Sequence, residues 1–284
     1  MYAEKDLQTM FEQTAKYVLD DELAKIVKIS MALEMPLLLK GEPGTGKTML
    51  AHAIAKALNM PLIVLNVKSS MKLIDALYQY DTLTRLNDAR FGDSKRDVSN
   101  IEDYIRMGKI GQAFVSDVKV VLLIDEIDKA DSDFQDDMLD VLDQMEFDII
   151  EIDKKIRAKH RPVVIITSNA KKELSEPFLG RCNFHHIAFP DPDMMRRIVR
   201  VHFPNLSDDL MDSCIRCFYK MRQLSGIEKK PATRELLNWI RALTLDPDFR
   251  PTQLKKGKIP YLGVLFKKSN DFEIAKNSMH KLRP

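Results

Sequence analysis

The 284-residue chain has few cysteines, three in all, at positions 182, 214 and 217. That is too few for a disulfide framework, which excludes the small cross-linked secreted scaffolds and fits a reducing compartment. No apolar run approaches the roughly 20 residues needed to span a bilayer. The opening stretch MYAEKDLQTMFEQ also lacks the apolar centre of a secretory leader. The expectation is a cytoplasmic protein with no membrane partner. Charge of one sign is missing as well: 44 Lys and Arg stand against 42 Asp and Glu, a net +2. With no global field, the composition does not favour a nucleic-acid surface. There is no tandem repeat and no long low-complexity segment. The length suits one sizeable domain plus a smaller one.

Against that background one stretch stands out, MPLLLKGEPGTGKTML, residues 35–50. Pro36 to Leu39 is an apolar run too short for a helix and stopped by Gly41, which reads as a buried parallel strand. From Lys47 to Leu58, Leu50, Ala53, Ile54, Ala57 and Leu58 recur at helical spacing. Between strand and helix, GEPGTGKT fits the phosphate-cradling pattern G-x-x-x-x-G-K-[ST]. Glycines at 41, 44 and 46 let backbone N–H groups turn inward around an anion, flanked by Glu42, Pro43 and Thr45. The helix that follows points its positive end at the same place. Lys47 is then placed to reach the β and γ phosphates and Thr48 to offer its hydroxyl to Mg²⁺. The competing reading, a glycine-rich turn with an incidental lysine, does not account for the strand before and the helix after.

Strand-like runs recur at 61–67, 119–124, 162–167 and 184–189, separated by helical or irregular stretches, which predicts an α/β domain with a parallel sheet. From Pro190 onward helical patterns take over, at 194–202, 207–224 and 231–243. The predicted division is an αβα nucleotide-binding domain over 1–190 and a helical domain over 191–284 with a basic C-terminal tail, solvated or docked on a neighbour. Cys214 and Cys217 form a C-x-x-C, but inside a helical pattern and with no second ligand pair, so they read as buried or incidental thiols.

KVVLLIDEIDKAD, residues 119–131, is an apolar strand ending in adjacent carboxylates. Asp125 matches the Walker B aspartate that holds the Mg²⁺ shell, and Glu126 would face the γ phosphate across a water as general base. Solvated acids at a strand end are common by themselves; the phosphate loop upstream is what favours the catalytic reading. A base placed for water favours hydrolysis over phosphotransfer, and the absence of a guanine-reading N-K-x-D disfavours a GTPase. A third strand ends at Asn169, whose amide would help orient the attacking water. Arg181 follows a helical segment, and Arg234 sits in the first turn of a helix with Pro231 near its start.

Taken in order, these motifs resemble those of the AAA+ ATPases from about residue 15 to 245. GEPGTGKT is similar to Walker A and VVLLIDE to Walker B, Asn169 to sensor 1, Arg181 to the arginine finger and Arg234 to sensor 2. YQYDTLTRLNDAR, DEIDKADSDFQDDMLDVLDQMEF and LSEPFLGRC resemble the MoxR branch, and more narrowly members paired with a von Willebrand factor A domain protein. The resemblance implies a three-layer αβα P-loop core with a helical lid, assembly into a hexameric ring, and chaperone-like remodelling of a client protein. It also implies an insertion near the second core helix, for which the polar 91–100 is a candidate, and a hairpin before sensor 1, for which 146–162 reads as two strands around 153–155. Family members often have two arginines where this chain has Gly180 and Arg181, and Pro-Asn where it has Gln135 and Asp136, which makes the helix after Walker B more acidic. Its aspartates 131, 133, 136, 137, 140 and 143 accompany an apolar stripe of Phe134, Met138, Val141, Leu142 and Met145, which reads as a solvated face over a core. A nucleic-acid loader or initiator of the same superfamily is the alternative. It would need a DNA module, and only a short lysine-bearing segment follows residue 245.

Overall fold

The computed structural model describes residues 4–92, 96–169 and 172–278. It divides into two compact units, one of residues 1–7, 20–41 and 47–187 and the other of residues 8–19, 42–46 and 188–284. In chain order the strands are β1 (Leu37–Lys40), β2 (Leu62–Asn66), β3 (Tyr78–Tyr80), β4 (Ile105–Met107), β5 (Val121–Asp125), β6 (Glu146–Ile149), β7 (Lys154–Arg157), β8 (Val163–Ser168) and β9 (Asn183–His186). The first eight helices are α1 (Glu4–Met10), α2 (Asp21–Leu33), α3 (Lys47–Ala57), α4 (Leu73–Leu77), α5 (Thr82–Phe91), α6 (Lys109–Val115), α7 (Ser132–Gln144) and α8 (Glu176–Gly180).

Five strands form a parallel sheet in the order β2-β5-β8-β1-β9. Both faces of it are buried. Leu38, Leu122, Ile124, Val164 and Ile166 share one core with apolar residues of α4, α6 and α7. Their alternates Leu37, Leu39, Val121, Leu123 and Ile165 point the other way and are equally covered, as are Leu23 and Val27 of α2 and Leu50 and Ile54 of α3. The result is the three-layer α/β architecture expected from the alternation of strand and helix. β9 is shorter than the apolar run at 184–189, because its partner β1 ends at Lys40, opposite His186.

Two antiparallel pairs stand outside the main sheet. β3 and β4 pair Tyr78 with Met107 and Tyr80 with Ile105, bracketing α5 and the polar stretch after it. Within that stretch, residues 93–95 lie outside the described residues. The rest is anchored: Arg85 donates to Val98 O at 3.0 Å, Tyr104 Oη to Asp88 at 2.9 Å, and the Arg96 guanidinium lies 5.7 Å from the centre of the Tyr104 ring. β6 and β7 form the hairpin, but its turn is at 150–153 rather than around 153–155. Ile149 pairs with Lys154, and Asp153 closes the turn at φ +48, a left-handed conformation that aspartate tolerates better than lysine.

The helix after Walker B is less solvated than its aspartates imply. Leu139 and Gln135 join Phe134, Met138, Leu142 and Met145 in the interior, while Val141 is half-buried. Asp131 caps the helix by accepting from Phe134 N at 2.9 Å, and Asp136 accepts from Ser175 Oγ, the N-cap of α8, at 2.6 Å.

In the second unit α9 (Pro192–His202), α10 (Asp208–Arg222) and α11 (Thr233–Leu245) pack around Met195, Met211, Phe218 and Trp239. Cys214 and Cys217 lie inside this core, where burial pushes the Cys217 thiol up to about 11. The segment read as a basic tail is folded into the same core. α12 (Thr252–Lys255), α13 (Leu262–Leu265) and α14 (Ser269–Asn277) contribute Leu254, Leu262, Leu265 and Ala275. Trp239 Nε1 donates to Pro260 O at 2.8 Å, and the buried Asp271 carboxylate accepts from Glu228 N and Lys229 N. The lysines that made this stretch look solvated alternate with apolar residues too widely spaced to read as one helix.

Gly111, in the first turn of α6, sits against the α4 backbone: a Cβ there would lie 2.1 Å from Leu77 O. Alanine normally stabilises a helix relative to glycine by about 1 kcal/mol, but here the clash reverses the sign. Gly111→Ala is expected to destabilise the protein by about 1–3 kcal/mol in urea unfolding; a variant as stable as wild type or more so would mean that α6 does not approach α4 this closely.

Candidate nucleotide site

The phosphate loop begins where β1 runs out. Gly44 and Gly46 adopt φ +83 and +98, which side chains with a Cβ avoid. Size matters at Gly44 too, since a Cβ there would come within 2.4 Å of the Ala232 Cβ. Gly41 has an ordinary φ, and its contribution is a carbonyl that accepts from Lys47 Nζ at 2.8 Å. Thr45 is buried, its hydroxyl donating to Glu42 O at 2.9 Å, and Pro43 is exposed. Lys47 opens α3 and is 6% exposed. Burial lowers its pKa below the usual lysine value, opposed by the charges of Asp125, Asp128 and Glu126. A desolvated ammonium at the end of a loop turned through two left-handed glycines suits a polyphosphate chain.

The sheet brings the acidic residues to this lysine. β8 lies between β5 and β1, and the parallel register sets Ile124 beside Ile166 and Lys40 beside Ser168, so the three strands end level with one another. Asp125 Oδ1 accepts from Thr48 Oγ1 at 2.9 Å and from Thr167 Oγ1 at 2.6 Å. Thr167 in turn accepts from Glu126 N at 2.9 Å. That bond holds Glu126 at φ +61, ψ +51, a left-handed conformation that costs a residue other than glycine roughly 1–3 kcal/mol. The Glu126 carboxylate accepts from Asn169 Nδ2 at 2.8 Å and forms an ion pair with Lys129, while Asn169 N donates to the buried Asp128 at 3.1 Å. A threonine hydroxyl bonded to an aspartate oxygen is the pairing that a hydrated Mg²⁺ requires, and the donor set fits that ion.

Lys47, Thr48, Asp125, Glu126 and Asn169 therefore converge in the first unit. Two further candidates are arginines. Arg181, at the end of α8, pairs within the chain with Asp140 at 3.3 Å and Asp143 at 2.9 Å on α7. Arg234 is exposed in the first turn of α11, in the second unit. Glu42, also of the second unit, lies 3.4 Å from Arg222 Nη2, and the Arg222 guanidinium stacks 3.4 Å from the centre of the Phe189 ring. Sequence reasoning passed over Thr167, Asp128 and Lys129. Thr167 was within reach, since it precedes Asn169 by two residues on a strand and so shares its face. Asp128 and Lys129 were not, because a one-turn helix at 127–129 has no periodicity to read.

This is the arrangement of a P-loop ATPase: a phosphate loop leading into a helix, with an aspartate, a glutamate and an asparagine at neighbouring strand tips. The profile of the ATPase family associated with various cellular activities (AAA) matches residues 37–190, and the chain belongs to that family. A search of curated proteins returned no match.

Thr167 ties Asp125 to the backbone of Glu126, and valine would take one of two hydroxyl donors from Asp125 and leave Glu126 N without its acceptor. Thr167→Val should cost about 1–3 kcal/mol of stability and lower single-turnover hydrolysis at least about tenfold by misplacing both carboxylates, whereas Thr167→Ser should recover most of each. Equal rates for the valine and serine variants would rule out a role for the hydroxyl.

Proposed function

We propose that this AAA-family chain is a Mg²⁺-dependent ATPase of the MoxR branch, working as a ring, hexameric in the family it resembles, that remodels a client protein such as a von Willebrand factor A domain partner. The observation that carries the hydrolytic reading is the placement of Glu126, beside the Asp125 that pairs with Thr48 and within hydrogen-bond reach of Asn169. Lys47 and the loop amides bind and orient the polyphosphate, and Thr48 and Asp125 hold the metal's coordination shell. Mg²⁺, when bound, neutralises charge developing on the β and γ phosphates. Asn169 orients water and the Glu126 carboxylate takes its proton. The water oxygen bonds to the γ phosphorus, and the bond to the β–γ bridging oxygen breaks with its electron pair leaving on ADP. The two antiparallel pairs outside the main sheet, β3–β4 around α5 and the β6–β7 hairpin ahead of β8, favour the MoxR branch, which is implied to carry an insertion and a hairpin at those places. Ile150, 80% exposed at the hairpin turn, gives that element an apolar tip for a client.

Glu126→Gln is expected to bind MgATP with unchanged affinity and to hydrolyse it at least about a hundredfold more slowly; undiminished turnover would place the base elsewhere. Arg181 is proposed to act in trans. In a closed ring every interface is heterologous, and each pocket borrows this arginine from its neighbour. Arg181→Ala should therefore keep nucleotide binding while losing a factor of about 10³ or more in hydrolysis. Mixing it with Lys47→Ala should restore partial turnover, because some interfaces then combine a sound loop with a sound arginine. A confirmed co-assembly as inactive as either variant alone contradicts the trans role.

A further inference from the structure

Both oxygens of the Glu126 carboxylate are engaged. Asn169 Nδ2 donates to Oε1 at 2.8 Å, and Lys129 Nζ bonds to Oε2. The lysine is placed by the backbone. Leaving β5, the chain passes through the left-handed Glu126 into a single 3₁₀ turn, closed by Lys129 N donating to Glu126 O at 3.0 Å, which sets the two side chains three residues apart on one side. Its ammonium is held above the usual lysine value, first by the hydrogen bond to Glu126 and then by the charges of Glu126, Asp125 and Asp128. Lys129 thus stays protonated at any neutral pH.

The two donors have different consequences for a proton acceptor. The Asn169 amide is neutral and sits just past the end of buried β8, so it orients Oε1. The Lys129 ammonium is bonded to Oε2 and occupies the direction from which water would meet that oxygen. It is also the easier contact to break. The two side chains are 41% and 35% exposed, the stem is long, and such pairs are weak in water.

We propose that Lys129 is a positioning residue that restrains the general base, its ammonium keeping Glu126 Oε2 from water until the pair opens, while Asn169 holds Oε1 oriented throughout. This rests on Glu126 being the base. No additional reactant is involved: when the pair opens, Oε2 accepts the proton of the attacking water and hydrolysis proceeds as described. Two ammonium groups, those of Lys47 and Lys129, serve the three carboxylates 125, 126 and 128.

The test is steady-state hydrolysis at saturating MgATP. Lys129→Met is expected to raise kcat about two- to fivefold, the size of effect an exposed pair can exert, with KM and nucleotide affinity unchanged. Lys129→Gln should do the same, which guards against a folding defect in one variant, and Lys129→Arg should return kcat most of the way to wild type. Because salt screens an exposed pair, the wild-type rate should approach that of Lys129→Met as ionic strength rises. The double variant Glu126→Gln/Lys129→Met should be no faster than Glu126→Gln. A wild-type or lower kcat in both neutral variants, with Glu126→Gln inactive, overturns the restraint and leaves the base in place. Acceleration that survives in the double variant overturns it too. Full turnover in Glu126→Gln removes the base reading itself, and the restraint with it.

Discussion

One carboxylate oxygen, Oδ1 of Asp125, holds the candidate site together. It accepts from Thr48 at the start of α3 and from Thr167 near the end of β8, so one acceptor on β5 joins the phosphate loop's helix to two adjacent strands. Thr167 passes the constraint on, because the same hydroxyl that donates to Asp125 accepts from Glu126 N and holds that residue in a left-handed conformation. Remove Asp125 and both threonines lose their partner; remove Thr167 and the strained backbone of Glu126 loses its support.

Such a junction exists only because the strands are parallel and level. Side chains buried on both faces of β5, β8 and β1 fix their register, since a one-residue slip would turn each apolar set toward the wrong layer. The level strand ends then deliver Asp125 and Thr167 to the same edge of the sheet, the usual place for ligands in an open parallel α/β fold. The apolar core of the first unit therefore sets the geometry of the polar network, even though no core side chain takes part in it.

Charge nearly cancels over the whole chain, and opposite charges are also gathered locally at the site. Lys47 and Lys129 stand among Asp125, Glu126 and Asp128, and each lysine feels all three acids. Lys47 is buried, and desolvation lowers its pKa against the pull of the three acids. Lys129 is exposed, and water weakens its hold. On α7 a second set of acids is occupied differently, with Asp131 capping the helix, Asp136 tied to Ser175, and Asp140 and Asp143 to Arg181. What reads as a solvated acidic face is in part the anchor of α8 and of its terminal arginine.

The sequence by itself determined the phosphate loop, the strand carrying Asp125 and Glu126, the α/β class and the helical character beyond residue 190, because each rests on local spacing: glycines at positions that need a left-handed backbone, apolar runs of strand length, periodicity near 3.6. It also carried Asn169, through its place at the end of a buried run. Tertiary structure alone decided that β8 lies between β5 and β1, and hence that Thr167 links the Asp125 carboxylate to the Glu126 backbone; strand order depends on crossovers, which leave no local pattern. It likewise decided that the hairpin turns at 150–153, that Arg181 pairs with α7, and that the lysine-bearing segment after residue 245 is folded, its apolar residues meeting across short helices with no period to read. Lys129 belongs with these, since its charge was visible in the sequence but its bond to Glu126 follows from one closed turn after a strained residue.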